Sequence, residues 1–88
     1  MKTKAIFRDN DYFKSHGKTP KGWGSWAFDL SVEYGDGEWG ERPEPMFSPS
    51  MTYTDAKKWA KAEVSKFLVE LANSGVAVTG TYILEVLG

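Results

Sequence analysis

Residues 26–34 read WAFDLSVEY, and their alternation decides the fold. Trp26, Phe28, Leu30, Val32 and Tyr34 fall on one side of an extended chain, with Ala27, Asp29, Ser31 and Glu33 on the other. Successive strand side chains point to opposite faces, so this stretch is a strand with one buried and one wet face. Gly35-Asp36-Gly37 follows, a trio that tolerates positive φ and predicts a chain reversal. A strand of this kind needs an apolar layer to cover it.

That layer lies in residues 51–75, MTYTDAKKWAKAEVSKFLVELANSG. Ala56, Trp59, Ala60, Val64, Phe67, Leu68 and Leu71 recur at spacings of three and four, one apolar stripe of a helix. Thr52 with Asp55 three residues on resembles a capping box at its start, Asp being a weaker partner there than Glu or Gln, Met51 and Ala56 can staple it, and Gly75 supplies a left-handed stop. Lys57, Lys58, Lys61 and Lys66 lie mostly off the stripe among Glu63 and Glu70, as on a solvated face. Residues 79–87 are rich in β-branched and apolar types and read as a last strand, with Gly80 marking its entry or a bulge. TKAIFR, residues 3–8, is long enough for a first strand. Between the turn and the helix, Pro43, Pro45 and Pro49 each lack a ladder donor, which leaves room for at most a short or edge strand.

The expected architecture is therefore α+β: a small antiparallel sheet of about three to four strands, in chain order β-β-β-α-β, against one long helix. Residues 1–88 form a single domain, too short for two cores. Four Trp, four Tyr and five Phe supply much of its burial. With no cysteine the chain has no disulfide, thiolate nucleophile or Cys-rich zinc site. No segment reads as a signal peptide or membrane span, so a cytoplasmic location is expected.

The net charge of −1 hides a split. Residues 1–24 hold six Lys/Arg against two Asp, whereas residues 25–50 hold Arg42 against Asp29, Glu33, Asp36, Glu38, Glu41 and Glu44. Either the fold separates a basic end from an acidic end, or the two segments are neighbouring strands whose charges pair across the sheet.

Gly17-Lys18-Thr19 resembles the close of a phosphate-binding loop, but Tyr12 stands where the first glycine belongs, Pro20 follows, and no helix opens after it. Asp9 and Asp11 open like a calcium loop, yet Phe13 takes the third ligand position and Lys14 that of the tight-turn glycine. His16 is the only histidine and has no evident nucleophile to serve, and no two of the acids stand out as an acid/base pair. No enzymatic activity and no cofactor are expected.

What remains is the segment 10–24, read as a connection longer than the usual 4–6 or so residues, the kind of loop that often carries function. It sets Tyr12, Phe13 and Trp23 among Lys14, Lys18 and Lys21 on a glycine-rich backbone. Such a loop suits a protein partner, with an aromatic anchor and lysines steering toward acidic surface. It also suits RNA or single-stranded DNA, with bases stacked on rings and phosphates gripped by lysines. The plainer alternative is that the rings pack over a small core and the lysines only solubilise. The candidate partner-binding residues are Tyr12, Lys14, Lys18, Lys21 and Trp23, with Asp36 of the acidic turn and Trp39 beside the proline-rich stretch 42–50. An exposed edge strand would also permit a homodimer in place of a monomer.

GSWAF (24–28) and FSPSMTYTDAKKWAKAEV (47–64) together resemble small uncharacterised proteins encoded by bacteriophages, in which a Trp-containing strand precedes a Thr-capped helix. The resemblance covers about half of the chain and transfers no catalytic residue. It implies an accessory protein of a phage or mobile element that binds a host macromolecule.

Overall fold

The computed structural model describes residues 2–87. In chain order the elements are β1 (Lys4–Arg8), α1 (Asn10–His16), β2 (Trp23–Gly24), β3 (Ala27–Tyr34), β4 (Trp39–Glu41), β5 (Met46–Phe47), β6 (Met51–Thr52), α2 (Tyr53–Asn73) and β7 (Val78–Val86). The main sheet has the order β1-β7-β3-β4, with β5 pairing the start of β3 on the same edge that β4 takes further along. β2 and β6 form a separate two-stranded ribbon. The expected class holds: an α+β fold in which one long helix covers a small sheet.

The sheet is mixed rather than antiparallel throughout. β7 runs antiparallel to β3, pairing Leu30 with Leu84, but parallel to β1, pairing Ile6 with Ile83. A parallel pair needs a long connection, and nearly the whole chain lies between these two strands. Alternation carries no strand direction, so residues 3–8 gave no sign of this. The 21-residue α2 makes the crossover possible, since about 30 Å of helix returns the chain along the sheet.

The core lies between α2 and one face of the sheet. Phe28, Leu30 and Val32 of β3 meet Tyr82, Leu84 and Val86 of β7, all buried, under Ala56, Ala60, Val64 and Leu68 of the helix. Trp59, Phe67 and Leu71 flank this stripe, partly buried. Trp26 precedes β3 yet shares its inner face, and it fastens the chain that returns beside it. Its backbone N–H donates to Ser48 Oγ at 2.9 Å, and its indole N–H donates to the Met51 carbonyl at 3.0 Å.

The ends of α2 are built as the sequence implies. Thr52 Oγ1 accepts from the Asp55 N–H at 3.2 Å. At the other end Val76 N–H donates to Leu71 O, and Gly75 N–H, at φ +83°, to Ala72 O. This pair of bonds satisfies two carbonyls the helix would otherwise leave open. The turn at Gly35-Asp36-Gly37 closes through Gly37 N–H to Tyr34 O, at 2.9 Å.

Residues 10–24 are not one loop. Asn10–His16 form α1, ended by Gly17 at φ +67°, and Trp23–Gly24 form β2. Seven residues show no repeating apolar stripe, which is why this helix is not legible from periodicity. The Gly-Lys-Thr run thus follows a helix C-terminus, the negative end of the dipole, where a phosphate is disfavoured. Among the described residues, no helix is long and apolar enough to cross a membrane.

Candidate functional site

α1 stands at the end of the sheet where β1 and β7 finish and β3 begins. One helical turn separates Tyr12 from His16, so their rings lie on the same side of α1. They stack with centroids 4.2 Å apart and planes at 26°. Tyr12 in turn leans on Trp26 at 5.6 Å, and Trp26 on Tyr53 of α2 at 5.0 Å. A file of four aromatic rings therefore runs from the surface into the core and holds α1 in place.

The chain then crosses residues 17–22, bracketed by Gly17 and Gly22, both at positive φ, and enters β2. Pairing of Trp23 with Thr52, and a 2.9 Å bond from Tyr53 N–H to Gly22 O, fix this backbone to the start of α2. The Trp23 ring is not folded back over the core: it is 71% exposed.

Between α1 and β2 lies an open groove of about 430 Å³. Tyr12, His16, Lys18, Lys21 and Trp23 line its walls, and Ala27 of β3 and Leu87 after β7 line it at the sheet end. Among the described residues, no acidic side chain lines it. The chemistry offered is two ammonium groups, an exposed indole, a stacked phenol–imidazole pair and a small apolar base.

Of the seven candidate residues, the fold brings four together here: Tyr12, Lys18, Lys21 and Trp23. Lys14 is exposed on α1 and does not line the groove. Asp36 sits in the turn at the other end of β3, an eight-residue strand about 25 Å long, where its Oδ1 accepts from Glu38 N–H at 3.0 Å. Trp39 lies opposite Glu33 on the face of the sheet away from α2. His16 and Trp26 belong to the groove although composition did not single them out for binding. Only the Tyr12–His16 spacing of four signalled the first.

The charge split does not resolve as pairing between neighbouring strands, because β7 separates β1 from β3. The one ion pair among the described residues is Lys66–Glu63 on α2, at 3.5 Å and exposed. Lys18 and Lys21 stand at one end of β3 while Asp36 and Glu38 stand at the other. Burial, together with the negative charge of Asp9, pushes the phenol of Tyr53, the innermost ring of the aromatic file, above its usual range. No family model, curated protein or solved structure matches this chain.

Proposed function

We propose that this chain is a non-enzymatic binding module that takes a segment of a protein partner into the groove between α1 and β2. The observation that carries this reading is the Trp23 ring, 71% exposed on a backbone pinned to α2, beside Lys18 and Lys21, with no acidic side chain of the described residues in the groove. An indole held out on a fixed strand is a ready anchor, because little further ordering is needed when it is covered. The lysines steer an acidic rim toward it. The resemblance to bacteriophage proteins makes a host protein the partner class this reading favours.

Single-stranded nucleic acid is the second reading, favoured by the stacked Tyr12–His16 pair beside Trp23, a platform on which bases can lie. The strands that reach the groove argue for the protein. Two residues beyond Ala27 stands Asp29, two before Leu87 stands Glu85, and the two acids are register partners. A phosphate chain leaving the groove along the sheet would meet both.

The test is capture of partners by wild type and by Lys18→Ala/Lys21→Ala/Trp23→Ala, each with and without nuclease, followed by titration of the purified partner. Nuclease-resistant, one-to-one binding that weakens roughly tenfold or more in the variant supports the protein reading. Recovery that nuclease abolishes, with affinity falling steeply as salt rises, replaces it with the nucleic-acid reading. Equal binding by both proteins removes the groove from the function.

A further inference from the structure

α2 covers one face of the sheet, and the opposite face displays the other half of each strand's alternation. Register sets its side chains in rows. Ile6, Ile83, Ser31 and Glu41 cross β1, β7, β3 and β4 in one row. Arg8, Glu85 and Asp29 form the row nearer the groove, and Lys4, Thr81 and Glu33 beside Trp39 belong to the row beyond, so the two cations of the face, Lys4 and Arg8, both stand on its β1 edge. Ser31, a short side chain, is thus bordered by Asp29 and Glu33 along its own strand and by Glu41 across from it. Glu85 stands diagonally. Asp29 and Glu41 are exposed, and so are two large rings of this face, Trp39 at 44% and Phe47 at 70%.

Two features separate this face from an ordinary solvated one. Like charges directly opposite each other destabilise an antiparallel pair, and Asp29 and Glu85 are so placed, with no cation between them. Arg8 is Glu85's neighbour on the other side, at the sheet edge, yet none of the four carboxylates is in an ion pair among the described residues. The second feature is apolar: Ile6 and Ile83 adjoin the carboxylates, and Phe47 and Trp39 stand exposed at two corners of the same surface.

We infer that this open face is a second docking surface, which receives a basic amphipathic segment of another protein. Charge complementarity selects the occupant. Lysine or arginine side chains bridging Asp29, Glu85, Glu41 and Glu33 relieve their mutual repulsion, while apolar residues between them cover Ile83, Phe47 and Trp39. Away from Lys4 and Arg8 at the β1 edge, the four carboxylates oppose a phosphate chain. The inference stands apart from the reading of the groove, since it uses none of Tyr12, Lys18, Lys21 or Trp23.

The experiment titrates the full chain with a labelled peptide of alternating lysine and leucine, and with its glutamate–leucine counterpart, at low and moderate salt. Wild type is compared with Asp29→Asn/Glu41→Gln/Glu85→Gln and with a charge-matched control off the face, Asp36→Asn/Glu38→Gln/Glu44→Gln. The expected result is saturable, salt-sensitive binding of the lysine peptide, weakened roughly tenfold by the face variant and less than about twofold by the control. Amide shifts should map to residues 29–33 and 83–85. The face variant loses a like-charge pair, so its thermal midpoint should be no lower than that of wild type, which separates lost binding from lost fold. Equal weakening by both variants would reduce the effect to net charge and overturn the inference, as would shifts mapping elsewhere or no saturable binding. Sedimentation of the free chain as a dimer that the face variant abolishes would replace the peptide by the lysine-bearing side of α2 in a second copy.

Discussion

Gly80 and Ser48 are residues whose importance lies in what surrounds them. At Gly80, φ is +96°, and a Cβ there would run into the backbone carbonyl oxygen of Lys2, which passes directly over it. The register of β7 against β3 also shifts at this point, between Val32 and Tyr34, so the glycine serves a bulge in the central strand. Gly80→Ala should cost about 2–3 kcal/mol in urea denaturation, through the strained conformation plus the displaced first strand. Gly37→Ala, at φ +88° but facing open space, should cost visibly less, about 1 kcal/mol. Equal losses at the two sites would mean that Lys2 simply moves aside. Ser48 is buried beside the core, and its hydroxyl accepts from Trp26 N–H and donates to Pro49 O. Ser48→Ala strands a buried N–H, and a loss of about 1–2 kcal/mol is expected. Ser48→Thr, which keeps the hydroxyl, should recover part of it in the same denaturation series.

Among the elements, α2 shows how much of the fold its own residues specify. Thr52 is extended, at φ −67° and ψ 156°, and caps the helix while its backbone pairs with Trp23. Thr52→Ala should therefore lower stability by about 1 kcal/mol, and Thr52→Ser should restore most of it, as read by the thermal midpoint. The strand β3 and the helix α2 were legible because each carries its period over two or more repeats and ends in turn or cap chemistry, and the strand β7 because β-branched and apolar residues fill it. α1 was not, since seven residues with Tyr12 and His16 on one side hold too few repeats to show a period. The groove was half legible for the same reason. Lysines interleaved with aromatics are visible in composition, so Tyr12, Lys18, Lys21 and Trp23 could be named. The stack of His16 on Tyr12 exists only once the segment is helical, and Trp26 reads as core until α1 is seen to lean on it. The parallel β1–β7 pair was beyond reach for another cause. A five-residue strand with Ala5 and Phe7 inward fits equally well in either direction, and the choice is made by where α2 delivers the chain.

For the molecule as a whole, the single core ties stability to the protonation of its tyrosines. Burial raises the Tyr53 phenol, with the negative charge of Asp9 adding to it, and burial alone raises Tyr82, which is 1% exposed beneath the helix. In the unfolded chain both phenols ionise near their ordinary value of 10.0, whereas the folded chain holds the protons to higher pH. The folded state therefore binds more protons above about pH 10, and by linkage its stability falls as pH rises there. Below that pH the contribution is complete, and it declines until the pH has passed the folded-state values. Denaturation midpoints should accordingly be level from about pH 7 to 9 and drop from about pH 10 upward. Tyr53→Phe should lessen the drop, because a phenyl ring in its place has no proton to lose. In a Tyr12→Phe/Tyr34→Phe chain, whose remaining phenols are Tyr53 and Tyr82, the drop should also coincide with tyrosinate absorbance appearing with unfolding rather than before it. Tyrosinate absorbance developing fully near pH 10 in a chain that stays folded would show that the two phenols are wet, and that the α2 layer does not seal the core at Tyr53 and Tyr82.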